Sequence, residues 1–380
     1  MTIIIAPDSF KGNMSACEAC SVIEDGVFRA DKNALVHKIP LADGGEGTAR
    51  TVTQAAGGQL VKTYVTGPMG KKVEAEFGLI NDNKTAVLDT ASACGLELVN
   101  NNELNPMKAT SYGAGELILA ALDTGVKELI ISIGGSAVND GGIGMLSALG
   151  FRIIDEKGQN VGQGGGALAK ITAIECNGVK KNLKNISIKV ACDVTNPLLG
   201  INGASFVFGP QKGATPSMVK TLDEGLAKLW NAWIKAGLVG DVEQPGDGAA
   251  GGMGAALRIC LGASIESGAM LVMKYSGFFD HLSDCDLVIT GEGMTDGQTA
   301  GGKLCSIVAR ESRKAGVPAA LISGALGGET QNLLSVFDYA VSIACGQTGL
   351  DTMIKDSRRD LAFAAENLIR AIRLGKKING

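Results

Sequence analysis

The sequence predicts an α/β fold with two domains: a Rossmann- or flavodoxin-like domain with a parallel sheet, and a second α/β domain with a mixed sheet that is inserted into it. Strand and helix patterns alternate along most of the chain, and glycine-rich turns follow the strands. Only one region shows the short alternating runs typical of antiparallel pairing. Because 380 residues are long for a single hydrophobic core, two domains are expected.

The two ends of the chain predict the parallel domain. TIIIAP opens as a buried strand, a helix follows over residues 15–29, and residues 34–39 form the next strand, which makes a βαβ unit. A further helix over residues 48–56 ends at two glycines. Near the C-terminus, an amphipathic helix over residues 357–374 is expected to cover the sheet.

The middle of the chain predicts the inserted domain. Between residues 64 and 99, VEAEFGLI and TAVLDTA are joined by the turn sequence NDNK, which favours antiparallel or mixed pairing. We expect residues 1–64 and 275–380 to form the Rossmann-like domain and residues 65–274 to form the inserted one. The pattern leaves open which domain holds the strand over residues 129–133. Other strands are predicted at 152–154, 188–192, 286–290, 319–323 and 339–343.

Composition and charge exclude several function classes. The net charge is −4 and Lys and Arg form no stripe, so neither nucleic acid nor a membrane surface is an expected partner. The N-terminus does not resemble a signal peptide, and nine scattered cysteines fit a reducing compartment, so we expect a cytoplasmic protein. Two histidines, isolated in sequence, disfavour a histidine zinc site or a Ser-His-Asp triad. The oligomeric state is left open, a homo-oligomer included.

The segment IGGSAVNDG at residues 133–141 is the most informative motif. It follows an apolar strand and leads through glycines into a helix, so free backbone amides and the positive end of the helix dipole can hold an anion there. An aspartate beside such a site favours chemistry with Mg²⁺ over simple phosphate binding. The binding candidates in this segment are Gly134, Gly135, Ser136, Asn139 and Asp140.

Other strand ends carry acids, lysines or hydroxyl groups in the same way. In open α/β sheets the ligand crevice lies outside the carboxyl ends of the strands, so these groups can converge. Lysines and amides would hold phosphates, carboxylates would hold Mg²⁺, and one carboxylate would take the proton of an attacking hydroxyl, which is the equipment of phosphoryl transfer. The segments are APDSFKG at 6–12, ADGGEGT at 42–48, ACDVTNPL at 191–198, FGPQKGA at 208–214 and TGEGMTDGQTAGGK at 290–303.

Two glycine-rich segments fall short of nucleotide-binding fingerprints. GQTAGGKL at residues 297–304 has the glycine and lysine spacing of a P-loop, but Leu304 stands where Ser or Thr would contact Mg²⁺. GAAGGMGAAL at residues 248–257 lacks the preceding strand of a dinucleotide fingerprint, which disfavours a dehydrogenase.

In order and spacing, these motifs resemble the bacterial glycerate kinases of the type-1 family over nearly the whole chain. The specific matches include APDSFKG, ADGGEGT, VTGPMG, IGGSAVNDGG, VACDVTNPLLG, FGPQKGA and AAGGMGAAL. The resemblance implies phosphorylation of D-glycerate by ATP with Mg²⁺, usually at the 2-hydroxyl, on a two-domain α/β fold. A glycerate 3-kinase and a kinase of a related small hydroxy acid remain alternatives, as does a catalytically silent sensor on the same fold.

The resulting hypothesis places glycerate in a cleft between the domains, where backbone amides and Lys11 hold its carboxylate. Asp193 is the first candidate for the base, and Asp296 is the second. Asp43 and Glu46 are the candidates for contact with Mg²⁺. The segment 133–142, with Lys212 and Lys303, is expected to bind phosphates, and the remaining binding candidates are Asp8, Ser9 and Glu292.

The chain departs from the family pattern at two positions. Where the family reads TGEGR this chain has Met294, and where the family has GK followed one residue later by proline it has Cys305. Loss of the arginine removes a fixed positive charge from the predicted anion site. The candidates to replace that charge are Arg258, Lys303 and Lys212.

Overall fold

The structure is a computed structural model that describes residues 1–179, 183, 185–239, 242–295, 303–328, 330–346 and 349–379. The chain divides into two compact units. Unit 1 comprises Met1–Asp43 and Ala269–Gly380, and unit 2 comprises Gly44–Gly268. A parallel sheet in one and a mixed sheet in the other confirm the predicted fold class.

The strands and helices of the described residues alternate along much of the chain, as the sequence predicts. The strands are β1 (Thr2–Ile5), β2 (Leu35–Lys38), β3 (Gln59–Thr66), β4 (Lys72–Ile80), β5 (Thr85–Asp89), β6 (Glu128–Ser132), β7 (Arg152–Ile154), β8 (Ala173–Glu175), β9 (Ser187–Ala191), β10 (Ser264–Glu266), β11 (Leu287–Thr290), β12 (Met294–Thr295), β13 (Ala319–Ser323), β14 (Ala325–Leu326) and β15 (Tyr339–Ser342). The helices are α1 (Ala16–Ala30), α2 (Thr48–Ala55), α3 (Ala91–Cys94), α4 (Tyr112–Asp123), α5 (Ile143–Ala148), α6 (Ala204–Phe208), α7 (Pro216–Lys235), α8 (Ala249–Leu261), α9 (Gly268–Tyr275), α10 (Phe278–Leu282), α11 (Leu304–Lys314) and α12 (Leu350–Asn379).

Unit 1 is built on a parallel sheet with the strand order β15-β13-β11-β1-β2. When the five strands of this sheet are numbered in chain order, the strand order is 5-4-3-1-2, which is the flavodoxin-like doubly wound arrangement with its switch point between β1 and β11. Ile3 and Ile5 pack under α1 and α12, whereas Leu321 faces α11 on the other side of the sheet. The sheet is therefore covered on both faces, which explains why its strands read as continuous apolar runs.

Helix α12 covers the sheet of unit 1 as predicted, but it is longer than the expected 357–374. Its polar ends continue the helix beyond the apolar stripe from which the prediction was made. Against α1 it packs closely: a Cβ on Gly26 would come within 2.2 Å of the carbonyl oxygen of Ala362, so glycine is required there. Among the described residues, no helix is both long enough and apolar enough to cross a membrane.

Unit 2 is built on a mixed sheet with the order β10-β9-β6-β5-β4-β3. Strands β5, β6, β9 and β10 are parallel, and β3 and β4 are antiparallel to their neighbours. The predicted turn between β4 and β5 uses Asn81, Asp82 and Asn83 with φ of 53°, 54° and 60°, a backbone region that Asn and Asp tolerate better than most residues. Strand β6, which the pattern left unassigned, lies at the centre of this sheet.

The boundaries between the units differ from the expected 64/65 and 274/275. Unit 2 already begins at Gly44 and ends at Gly268. Strand β3 pairs with β4 from Gln59↔Leu79 to Thr66↔Lys72, so residues 59–64 belong to the mixed sheet. The pairing of β3 with the next strand places these residues in the mixed sheet, although the alternating sequence pattern becomes clear only after residue 64.

The two histidines, expected to be isolated, are stacked on each other in unit 1. The ring centroids of His37 and His281 are 3.9 Å apart and the rings are 16° from parallel. Burial lowers the pKa of His37, and the neighbouring His281 lowers it further. The folded protein therefore favours the neutral imidazole, so this contact stabilises the fold fully above pH 6.5 and loses its contribution as the pH falls below that value.

We predict that His281→Gln makes the protein less sensitive to acid. His281 is one of the two causes that lower the pKa of His37, and an uncharged glutamine removes that cause. A like-charge repulsion at about 4 Å amounts to about 1 kcal/mol in water, which corresponds to roughly 2–4 °C in Tm for a unit of this size. Thermal unfolding at pH 7.5 and pH 5.5 should show a smaller difference in the variant than in the parent protein. An unchanged difference would mean that carboxylates alone set the acid sensitivity.

Candidate active site

Two predicted acids meet at the switch point of unit 1. Asp8 follows β1 and Glu292 follows β11, and the two strands pair in parallel, so their carboxyl ends lie at the same edge of the sheet. The amide of Asp8 donates a hydrogen bond of 2.8 Å to the carbonyl of Gly291. Doubly wound domains bind ligands at this position.

Asp8 is half-buried among other acidic side chains, which raises the pKa of its carboxyl. Burial raises the pKa of its carboxyl to about 7, with Asp43 and Glu292 adding to the rise and with Lys11 and the amide of Ser9 opposing it. That amide donates to the Asp8 carboxylate over 2.6 Å. Nζ of Lys11 is 3.7 Å from Oδ2 of Asp43, and both side chains are largely exposed, so this pair screens the cluster only weakly. A ligand cation or a proton would be held well here.

The two departures from the family pattern, Met294 and Cys305, lie in the segments that follow β11. Met294 lies in β12 with 60% of its surface exposed, so the missing arginine would have stood at the surface of unit 1. Cys305 is buried in the first turn of α11, and burial raises the pKa of its thiol, with Glu292 and Asp8 adding to the rise. Lys303 precedes α11 and is exposed. The second candidate base, Asp296, lies outside the described residues.

In unit 2, three predicted turns come together at the carboxyl edge of the mixed sheet. A Cβ on Gly134 would lie 2.9 Å from Cα of Gly45, and a Cβ on Gly44 would lie 2.8 Å from Cα of Gly268 and 3.5 Å from Oδ2 of Asp193. Side chains at positions 44 and 134 would push these turns apart. Glycine at these positions therefore allows the close approach, and the predicted convergence is found within this unit.

Asp193 is an oriented, exposed carboxylate at this edge. Its Oδ1 accepts hydrogen bonds from Oγ of Ser267 and from the amide of Gly268, both at 2.9 Å. Both donors follow β10, the strand beside β9, so neighbouring strand ends fix the carboxylate. A carboxylate held in this way can accept a proton from a bound hydroxyl.

Lys212 lies beneath the glycine loop of residues 133–142 instead of facing solvent. It is 2% exposed, and its Nζ donates to the carbonyl of Val138 at 2.7 Å and to Oγ of Ser136 at 3.2 Å. Burial lowers its pKa to about 8, while Cys94 and Asp140 act in the opposite direction. The ammonium therefore supports the loop from inside the unit and places positive charge below it.

Asp140, one of the predicted binding residues, is enclosed within unit 2. It is 0% exposed, and its carboxylate accepts from the amide of Ser111 at 2.8 Å, from Oγ of Ser111 at 2.9 Å and from the amide of Gly142 at 3.0 Å. The anion at the start of α5 is thus supplied by the protein itself. Asn139 is also buried, and its Nδ2 donates to Oγ of Ser205. Of this motif, Gly135 is exposed and Gly134 is half-buried.

Glu46 is exposed beside the glycine loop, and a Cβ on Gly135 would lie 3.7 Å from its Oε2. Burial raises the pKa of Glu46, and a hydrogen-bonded neighbour, Glu97, raises it further. In the ranges that the structure describes, no group of three or more His, Cys, Asp or Glu side chains could hold a metal ion. Mg²⁺ commonly uses only one or two carboxylates together with substrate phosphates, so hard oxygen donors such as those of Asp43 and Glu46 suit it.

Of the proposed replacements for the missing arginine, Arg258 is engaged elsewhere. Its Nε and Nη2 bind Oδ1 and Oδ2 of the buried Asp247 at 2.8 and 2.7 Å. The segment between them contains three consecutive residues with positive φ, Ala250, Gly251 and Gly252. A Cβ on Gly251 would lie 2.3 Å from the carbonyl oxygen of Val138, so the segment packs against the glycine loop. It is a structural support, in agreement with the failed dinucleotide fingerprint.

Sequence reasoning missed the residues that hold these turns. Four residues lie outside every predicted motif, yet each contacts a residue of such a motif: Asp89, Ser111, Ser132 and Glu97. Asp89 ends a strand, as the predicted acids do, and that signal could have identified it. The two serines carry no comparable signal, because their role depends on which turn lies next to them.

A family model described as the glycerate kinase family matches residues 3–373. The chain is 42% identical to a glycerate kinase of Bacillus subtilis (strain 168) over 379 residues, covering 99% of each chain. It is also 42% identical to a glycerate 2-kinase of Escherichia coli (strain K12) over 385 residues, covering 100% of each.

A solved structure agrees with these sequence comparisons. The crystal structure of a glycerate kinase homologue from Salmonella typhimurium LT2 matches with a TM-score of 0.91 and 42% identity, covering 99% of both chains. The match extends over both the parallel and the mixed sheet, because so little of either chain lies outside it. The chain with these strand-end turns therefore belongs to the glycerate kinase family.

Proposed function

We propose that this protein transfers the γ-phosphoryl group of ATP to D-glycerate, at the 2-hydroxyl, and so forms 2-phosphoglycerate. The observation that carries the proposal is the carboxyl edge of unit 2, where the oriented Asp193 carboxylate lies beside two glycine turns in a chain of the glycerate kinase family. The full-length relative from Escherichia coli, named a glycerate 2-kinase, supports the regiochemistry. The expected cleft between the domains and the cytoplasmic location stay predictions.

In the proposed reaction the hydroxyl oxygen of glycerate bonds to the γ-phosphorus while the bond from that phosphorus to the ADP oxygen breaks. The hydroxyl proton passes to the carboxylate of Asp193, so the products are phosphoglycerate, ADP and a proton. The bonds from Ser267 and Gly268 keep one carboxylate oxygen in place, which reduces the reorganisation needed for proton transfer. Asp296 stays the second candidate for this role.

The phosphate contacts are assigned by exposure. Gly134 and Gly135 present backbone to the surface, and the exposed Lys303 adds a cation. Lys212 acts from below through Ser136 and Val138, which leaves its charge close to the loop. Asp140 and Asn139 we assign to support of the loop.

The contacts to glycerate and to Mg²⁺ are assigned to other exposed groups. The exposed Lys11, together with backbone amides, would hold the carboxylate of glycerate, and Asp8, Ser9 and Glu292 stay candidates for binding the substrate or phosphate. Asp43 and Glu46 stay the candidates for contact with Mg²⁺. When bound with the nucleotide, the ion would neutralise charge on the phosphates.

The proposal is tested by incubating the protein with ATP, Mg²⁺ and D-glycerate and then adding enolase with and without phosphoglycerate mutase. Formation of phosphoenolpyruvate without the mutase is the expected result, because enolase acts on 2-phosphoglycerate. Dependence on the mutase would instead identify a glycerate 3-kinase. ADP formation with another small hydroxy acid, but not with glycerate, would point to an altered substrate, and absence of ATP turnover with any acid would point to a silent sensor.

A further inference from the structure

Asp89 binds the start of a helix that carries no cap of its own. It ends β5, is 6% exposed, and accepts the amide of Ala49 with both carboxylate oxygens, at 3.0 and 3.1 Å. The amide of Gly47 is a further donor to it. Gly47 occupies the N-cap position of α2 and has no side chain to offer, so a residue from another element supplies the anion that the helix start favours.

A second side chain binds the same turn from the neighbouring strand end. Oγ of the buried Ser132 lies 2.5 Å from the carbonyl oxygen of Gly44 and 2.9 Å from that of Gly45. Ser132 is the register partner of Asp89 in the pairing of β5 with β6. The ends of β5 and β6 therefore bind residues 44–49 on both sides of Glu46. Ser132 binds the carbonyls that precede Glu46, and Asp89 binds the amides that follow it.

The bound turn projects its functional side chain outward. Glu46 is exposed and lies between the two pairs of anchored residues, next to Gly135 of the glycine loop. The turn has glycine at positions 44, 45 and 47, so its own backbone has little conformational preference. Its conformation must therefore be imposed by the groups that bind it.

We propose that Asp89 is a positioning residue, which fixes residues 44–49 through the amides of Gly47 and Ala49 and thereby holds Glu46 where the reaction requires it. The part of this statement that concerns the reaction rests on the proposed function. The Asp89 carboxylate accepts hydrogen bonds from backbone amides of this turn and also acts electrostatically on Glu46, so its effect on turnover is transmitted by residues 44–49.

The matched experiment compares Asp89→Asn with Asp155→Asn. Asp155 also accepts two backbone amides with its carboxylate, those of Lys157 and Gln159, but in the turn that follows β7. Hydrogen exchange of the full chain should show exchange at Gly47 and Ala49 faster by about 10-fold or more in Asp89→Asn, and unchanged at these amides in Asp155→Asn. The asparagine keeps the shape of Asp89 but replaces one acceptor oxygen by a donor that faces the helix amides.

The kinetic measurement uses the same pair of variants. For Asp89→Asn we expect kcat/KM to fall by about 10- to 100-fold and the half-saturating concentration of MgCl₂ to rise. Both are measured at a temperature where circular dichroism shows the variant to be folded. Asp155→Asn should keep both values. Ser132→Ala, which removes the other anchor, should change exchange and kinetics in the same direction and decides the question if Asp89→Asn does not fold.

Unchanged exchange over residues 44–49, or an activity loss no larger than that of Asp155→Asn, would overturn the proposal. The outcome for the proposed function is separate. If the parent protein does not phosphorylate glycerate, that function fails, while the exchange measurement still decides whether Asp89 holds the turn.

Discussion

Asp193→Asn is expected to lower kcat by about 10²- to 10⁴-fold, the usual contribution of a general base. Asparagine can keep an acceptor oxygen toward Ser267 and Gly268, so the fold should be retained. It cannot take a proton from the substrate hydroxyl. The loss should therefore fall on kcat more than on the KM for glycerate.

The pH profile separates a lost base from a displaced side chain. In the parent protein kcat should fall at acid pH as the base is protonated, and this limb should disappear in Asp193→Asn. Asp155→Asn, which alters an aspartate of the same unit in the turn that follows β7, should keep the parent profile and rate. Full turnover of Asp193→Asn with an unchanged profile would contradict the assignment and leave Asp296 as the base.

Asp8→Asn should make the protein more stable and less active. In the folded protein the pKa of Asp8 is raised from 3.8 to about 7, chiefly by burial and next by Asp43. An acid with a raised pKa favours the protonated form in the folded state, so the contribution of Asp8 to stability is greatest below pH 3.8 and is lost as the pH rises through 7. At pH 8 the parent protein carries a buried, repelled charge that asparagine removes.

We expect the unfolding free energy of Asp8→Asn at pH 8 to rise by about 1–2 kcal/mol, or roughly 2–8 °C in Tm, and kcat/KM to fall by at least about 10-fold. Such an opposition of stability and activity is common where a site keeps unfavourable charges together. The gain should vanish as the pH falls below 3.8, where Asp8 is protonated in both the folded and the unfolded state. Asp338→Asn, which alters a carboxylate bound to the amide of Ala319 in unit 1, should give no such gain. A loss of stability in Asp8→Asn at pH 8 would show that its carboxylate supports the fold.

Much of the fold was predictable because it rests on local patterns. The apolar strands and the glycine turns after them mark the carboxyl edges of both sheets, and the motifs 42–48, 133–142 and 191–198 do meet within unit 2. Asp193 could be identified because its position directly after a strand places it at such an edge. The resemblance to glycerate kinases rested on the same segments, and the family comparisons confirm it.

The order of residues along the chain determined the strands, the helices and the family. Only the tertiary structure decided which acids face outward and which are enclosed. Asp140 and Lys212 lie in predicted motifs but are buried, whereas Asp89 lies outside every motif and binds the turn that contains Glu46. The physical reason is that burial and hydrogen-bond partners arise from packing between distant segments, such as β5 beside β6, and a charge acquires its role only from the groups that packing brings against it.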